Sequence, residues 1–190
     1  MSYKQVYAQI QGRSIHVPRN FVRDVILAVT GIQSVRVFRT TLDPTKCRGF
    51  YVPARNTNHP FVKQAGTNVI VLSRSLNRCW ERFVFVKELM HILDSPADAT
   101  DTGDAFELAL TQLTGPGSPR LSVQTVAEIN AFWMALGVLC PEPVRQQMKI
   151  DRQAGHITDY QIALQLLIPE QYVPRLFHPI YENLIFPIIN

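Results

Sequence analysis

The stretch that most constrains this chain runs from residue 68 to residue 94. It begins with Asn68-Val69-Ile70-Val71-Leu72-Ser73, a short β-branched apolar run that reads as a strand. Ser75 and Asn77 then offer side-chain oxygens that can cap a helix. Beyond them Trp80, Phe83, Val84, Glu88 and His91 fall at helical spacing, so the apolar face also carries a carboxylate and an imidazole. The spacing predicts a strand, a turn and a half-buried helix with polar groups on its inner side. Buried charges need paired partners. A fold that accepts this helix has to supply them.

The polar centre of the helix is Lys87-Glu88-Leu89-Met90-His91. It differs at one position from H-E-x-x-H, in which two histidines four apart bind zinc from one helix face and the glutamate acts as general base on a metal-bound water. Lys87 stands where the first histidine would be. Taken alone, Glu-x-x-His arises by chance in many helices, and a histidine there is usually a surface or core residue. A second segment, Ala127-Glu128-Ile129-Asn130-Ala131-Phe132-Trp133-Met134-Ala135-Leu136-Gly137-Val138-Leu139-Cys140-Pro141, reads as an apolar helix with a carboxylate near its start and a proline stop. Its plain reading puts Glu128 in the first turn, where the helix dipole favours an acid.

Together the two segments resemble the ImmA/IrrE family of bacterial metallopeptidases, with its R-F-x-x-x-H-E-L-x-H-x-L and later E-x-N-x-F-A-x-x-L-L-x-P patterns. Arg82-Phe83 and Glu88-Leu89-x-His91 match the first pattern; Glu128-x-Asn130-x-Phe132 and Leu139-x-Pro141 match the second. The order of the remainder is similar too. A helix ends at Gly31-Ile32, Gly49-Phe50-Tyr51-Val52 resembles the strand before the motif helix, and Asp159-Tyr160-Gln161-Ile162-Ala163 to Pro174-Arg175-Leu176-Phe177 resembles the closing helices. The likeness spans most of residues 14–178. It implies an α+β, zincin-like domain with a small mixed sheet packed on several helices. It also implies a role for each matched position: Glu88 as general base, His91 as zinc ligand and Glu128 as the ligand from the second helix.

Lys87 departs from that pattern, and the departure is chemical. An ammonium has no lone pair, and freeing one from a pKa near 10.4 at pH 7 costs about 4–5 kcal/mol. Catalytic zinc normally takes three protein ligands and keeps a fourth position open. Only His91 and Glu128 remain, so no cofactor is expected, or zinc if a substitute ligand exists. Asp94, three residues past His91, is the candidate substitute, against its plain reading as a cap or a solvated acid. The physical alternative is that the Lys87 ammonium lies between Glu88 and Glu128 and replaces the charge of the metal.

The function classes follow from that substitution. The first is a catalytically impaired pseudoenzyme that binds a peptide or partner protein, such as a helix-turn-helix repressor, in the inherited cleft. The second is an active but atypical metallo-endopeptidase cutting a specific protein such as a transcriptional repressor. The third is an unrelated helical scaffold.

Length and composition fit one domain over residues 1–190, with residues 95–122 as an insertion or mobile loop within it. Hydrophobic residues make 46% and charged residues 18%, which argues against disorder. The apolar runs are too short for a membrane span, and no signal-like N-terminus is seen, so a cytoplasmic setting is expected. Cys47, Cys79 and Cys140 lack metal spacing and read as free thiols. The net charge is a mild +4, and its densest basic group, Arg36, Arg39, Lys46 and Arg48, reads as a solvated edge. Direct nucleic-acid contact is not expected, since no aromatic-basic recognition motif accompanies it.

Elsewhere residues 1–13 read as a tail or edge strand, and residues 18–31 as a helix with Phe21, Val22, Val25, Ile26 and Val29 on one face. Val35 to Thr41 and Cys47 to Pro53 read as strands around an Asp43-Pro44 turn, and Asn56 to Gly66 as a loop. His16 and His59 read as surface residues. Asp98, Asp101 and Asp104 invite a calcium-loop reading but lack the EF-hand glycine and closing glutamate. Phe106, Leu108 and Leu110 suggest that part of the insertion is helical. Residues 142–153 and 159–178 are expected to be helical, the latter split by Pro169 and Pro174. The apolar tail from Ile180 to Asn190 is expected to pack on the core or meet a partner.

Overall fold

The run at 68–73 forms the middle strand, β3 (Asn68–Ser73), of a three-stranded sheet. Flanking it are β1 (Val35–Thr40), parallel to β3 from Val35↔Asn68 to Thr40↔Ser73, and β2 (Gly49–Val52), antiparallel from Gly49↔Leu72 to Val52↔Val69. The computed structural model describes residues 3–95 and 121–189. Every residue of β3 after Asn68 is buried, which is why it reads as a continuous apolar run rather than an alternating one. Val69 and Val71 point to one side, where they pack with Val52, Val62, Phe38 and Phe61. Ile70 and Leu72 point to the other, into the main core.

Six residues in the chain segment after β2 form a short helix, α3 (Pro60–Ala65), which covers the first side. Its start carries proline, where the missing N–H has no role, and Gly66 closes it at φ 67°. The second side carries α4 (Arg78–Met90), capped by the Asn77 side chain accepting from the Trp80 N–H at 3.0 Å. It ends in a 3₁₀ turn, His91–Leu93. Beside it lies α5 (Val123–Leu139), which begins at the Ser122 cap and buries residues all round, the pattern of a central helix. No single helix among the described residues is long and apolar enough to cross a membrane.

Around this pair are α1 (Tyr3–Gln11), α2 (Arg19–Thr30), α6 (Glu142–Gln153), α7 (Asp159–Leu166), a 3₁₀ turn at Glu170–Tyr172, α8 (Val173–Phe177) and α9 (Ile180–Ile189). The architecture is α+β with a small mixed sheet. The C-terminal helix α9 buries Tyr181 and Ile185 and packs against α5 and α1.

Three expectations need correction. Residues 3–11 are a helix rather than a tail or edge strand, because Tyr3, Val6 and Ile10 recur at helical spacing and are buried against α5 and α2. Residues 56–66 are not all loop, since they contain α3. Glu128 is not in a first turn, because α5 starts at Val123 and has no acid in its opening turn. The readings of residues 96–120, including Asp98, Asp101, Asp104, Phe106, Leu108 and Leu110, lie outside the described residues.

Candidate functional site

The inner face of α4 meets α5 and the edge strand β2 around a cleft of about 620 Å³. β2 can come this close because residue 49 is glycine. A Cβ there would lie 2.7 Å from Val84 Cγ1 and 2.8 Å from the Val71 carbonyl oxygen, both inside contact distance. The floor of the cleft holds Lys87, Glu88 and Glu128; its walls hold Phe83, Phe132, Trp133 and Tyr172.

The three matched positions, Glu88, His91 and Glu128, converge with Lys87. Lys87 Nζ donates to Glu88 Oε1 at 2.8 Å and to Glu128 Oε2 at 2.6 Å, lying between the two carboxylates. His91 Nε2 lies 3.3 Å from Glu128 Oε1, 3.8 Å from Glu88 Oε2 and 3.5 Å from Lys87 Nζ. The other ring nitrogen, Nδ1, meets Asp94 Oδ2 at 2.6 Å. Glu88 and His91 are buried, at 2% and 8% exposure, so none of these charges is simply solvated.

The electrostatics are mutually dependent. Burial works against the charge of Lys87, and the carboxylates of Glu128 and Glu88 overcome it and hold the ammonium well above the ordinary lysine value. Burial likewise opposes a charged His91, but Asp94 and Glu128 raise its pKa to about 10. Burial pushes Glu128 up, and Lys87 and His91 more than reverse this, keeping it well below the carboxylate range. For Glu88 burial prevails over the pull of Lys87 and His91, and its pKa is raised. Near neutral pH the cluster thus contains an ammonium and an imidazolium set among carboxylates.

These residues do not fit a catalytic zinc. The lysine nitrogen keeps its protons and so has no lone pair to offer a metal. Asp94 stands on the far side of the imidazole. Its place three residues on, past the turn at the end of α4, sets it against Nδ1 rather than beside Nε2, so it orients and charges the imidazole. Among the described residues no group of three His, Cys, Asp or Glu side chains is arranged to hold a metal ion. What the arrangement does offer is a closed network of paired charges beneath an aromatic cleft.

Other residues singled out in the sequence are dispersed. Arg39 and Arg19 share the Glu81 carboxylate at 2.8 and 2.6 Å, and these bonds hold Glu81 down at about 2. Arg48 lies over the Trp80 ring at 4.1 Å. The basic group at 36–48 is therefore split between a surface ion pair and the cleft rim. Cys47 lines the cleft and donates weakly to the Gly49 carbonyl at 3.5 Å, Cys140 is buried, and all three cysteines are free. His16 is exposed, whereas His59 is half-buried with its ring against Phe50 and Phe61.

Sequence reasoning missed the fastening of α4. Arg82 is 4% exposed, and its guanidinium donates to the carbonyls of Val17 and, at 2.5 Å, Leu166. It thereby fixes the helix between the chain before α2 and the end of α7. An arginine on an otherwise apolar face was the available signal. Compared with models of protein families, with curated proteins and with solved structures, the chain matches none.

Proposed function

We propose that this chain is a catalytically impaired, metallopeptidase-like pseudoenzyme that binds a peptide or partner protein in the cleft between α4, α5 and β2. The observation that carries the reading is the Lys87 ammonium bonded to both Glu88 and Glu128, at 2.8 and 2.6 Å. In this reading lysine supplies the charge that a metal would bring and none of its Lewis acidity, and the ImmA/IrrE resemblance explains why the polar groups converge there at all. The setting is cytoplasmic, and a helix-turn-helix repressor is the partner that the resemblance suggests.

Metal analysis tests it. After dialysis the native protein is expected to hold clearly less than one zinc per chain, and Lys87→His, which restores a His-His-Glu set, is expected to hold more. Stoichiometric zinc in the native protein overturns the reading. The competing reading, an atypical endopeptidase, is favoured by one feature: Asp94 still orients His91 as an outer-shell carboxylate would. A partner cleaved by the native protein and spared by Glu88→Gln would decide for it.

A further inference from the structure

The charges of the cleft are unevenly distributed. On the floor Lys87 is already committed to two carboxylates. Around the rim stand Lys46, Arg48 and Arg175, and among the described residues none of the three is paired with a carboxylate. Lys46 and Arg175 are exposed and Arg48 is half-buried over Trp80. Among the described residues that line it, the outer cleft thus carries an excess of positive charge above a neutralised floor.

The wall between rim and floor is aromatic, and its rings meet one another at steep angles. Phe132 meets Phe83, Trp133 and Tyr172 edge-on, at interplanar angles of 62°, 88° and 86°, and the Trp80 face is taken by Arg48. Such a wall can seat an aliphatic or aromatic side chain.

From this juxtaposition we infer that the cleft takes an acidic peptide segment, with an apolar side chain seated against Phe83, Phe132 and Tyr172 and flanking carboxylates facing Lys46, Arg48 and Arg175. The inference rests on the protein-binding reading and specifies the chemistry of the partner. Rim charges of this kind steer encounter and set specificity more than they add affinity.

The test is fluorescence anisotropy with two labelled synthetic peptides, Asp-Phe-Glu-Leu-Asp and Lys-Phe-Lys-Leu-Lys, and a short labelled oligothymidylate. The acidic peptide is expected to bind about tenfold more tightly than the lysine peptide, the scale of a few exposed charge pairs. That preference is expected to fade toward about 1 M salt, where the screening length falls to about 3 Å. It is also expected to vanish in the Lys46→Glu/Arg175→Glu double variant, whose changes lie at exposed positions. Equal affinity for the two peptides, a preference untouched by charge reversal, or tighter binding of the oligothymidylate overturns the inference. Zinc content measured on the same sample separates the two failures. A metal-free protein without charge preference sinks only this inference, whereas stoichiometric zinc sinks the reading beneath it.

Discussion

Two cations that each bind a pair of carboxylates, the buried Arg145 and the half-buried Lys87, are built inversely. Arg145 on α6 is 1% exposed; it binds Glu142 at 2.7 Å, Glu182 at 3.0 Å and the Leu176 carbonyl at 2.9 Å, and lies over the Tyr181 ring. Its carboxylates face water, with side-chain exposures of 36% and 66%. At Lys87 the exposures run the other way: 19% for the cation and 3% and 18% for Glu88 and Glu128. Arg145 ties α6 to α8 and α9 and leaves its counter-charges in solvent. Lys87 keeps counter-charges under cover at the base of a cleft. The first joins three helices near the surface; the second joins α4 to α5 beneath a cleft.

The largest expected effect follows from that inversion. Lys87→Met leaves two covered carboxylates without their cation, and breaking a buried charge network this way typically costs about 3–5 kcal/mol. Chemical denaturation at neutral pH measures it, and an unchanged midpoint would mean that the lysine is tolerated drift rather than a replacement for a metal. Arg145→Met is expected to be milder, about 1–3 kcal/mol, because Glu142 and Glu182 return to water and the Leu176 carbonyl is the group left unpaired. Should the arginine variant prove the less stable of the two, the contrast drawn here fails.

A subtler effect separates the sites by pH. His91 has a folded-state pKa of about 10 against an ordinary 6.5, so its contribution is fully present below about 6.5 and is lost as pH rises toward 10. Stability is therefore expected to fall between about pH 6.5 and 8, a window below the usual thiol titration near 8.5. The fall should be absent in His91→Gln and retained in Arg145→Met. Equilibrium unfolding across that window checks it, and an identical slope in native protein and His91→Gln would remove His91 from the network.

The parts of this molecule visible in the sequence are those with long-period patterns. The apolar stripe of α2, the run of β3 and the spacing from Trp80 to His91 each report a buried face directly. The convergence of Glu88, His91 and Glu128 was legible only through paired motifs, since side chains forty positions apart carry no local sign of meeting. α1 escaped because Tyr3, Val6 and Ile10 are thinly set among Lys4, Gln5, Gln9 and Gln11. α3 escaped because six residues give less than two full turns of periodicity. Asp94 lay in plain view one turn past His91, but which imidazole nitrogen it serves depends on how the helix ends. Arg145 shows Glu142 at i−3, a readable pair, while the Leu176 carbonyl and Glu182 come from tertiary packing alone.

Gly49 leaves a last consequence. The distance between the edge strand and α4 is set by a missing methyl group, since any β-carbon at that position would collide with Val84 and with the backbone of β3. The aperture of the cleft and the electrical character of its floor are therefore written at separate positions in the chain. A lineage could widen or narrow its grip through residue 49 and its neighbours on α4 while leaving Lys87 and its carboxylates intact. Shape and charge are thus free to diverge independently, and a change of binding preference need leave no mark on the polar motif itself.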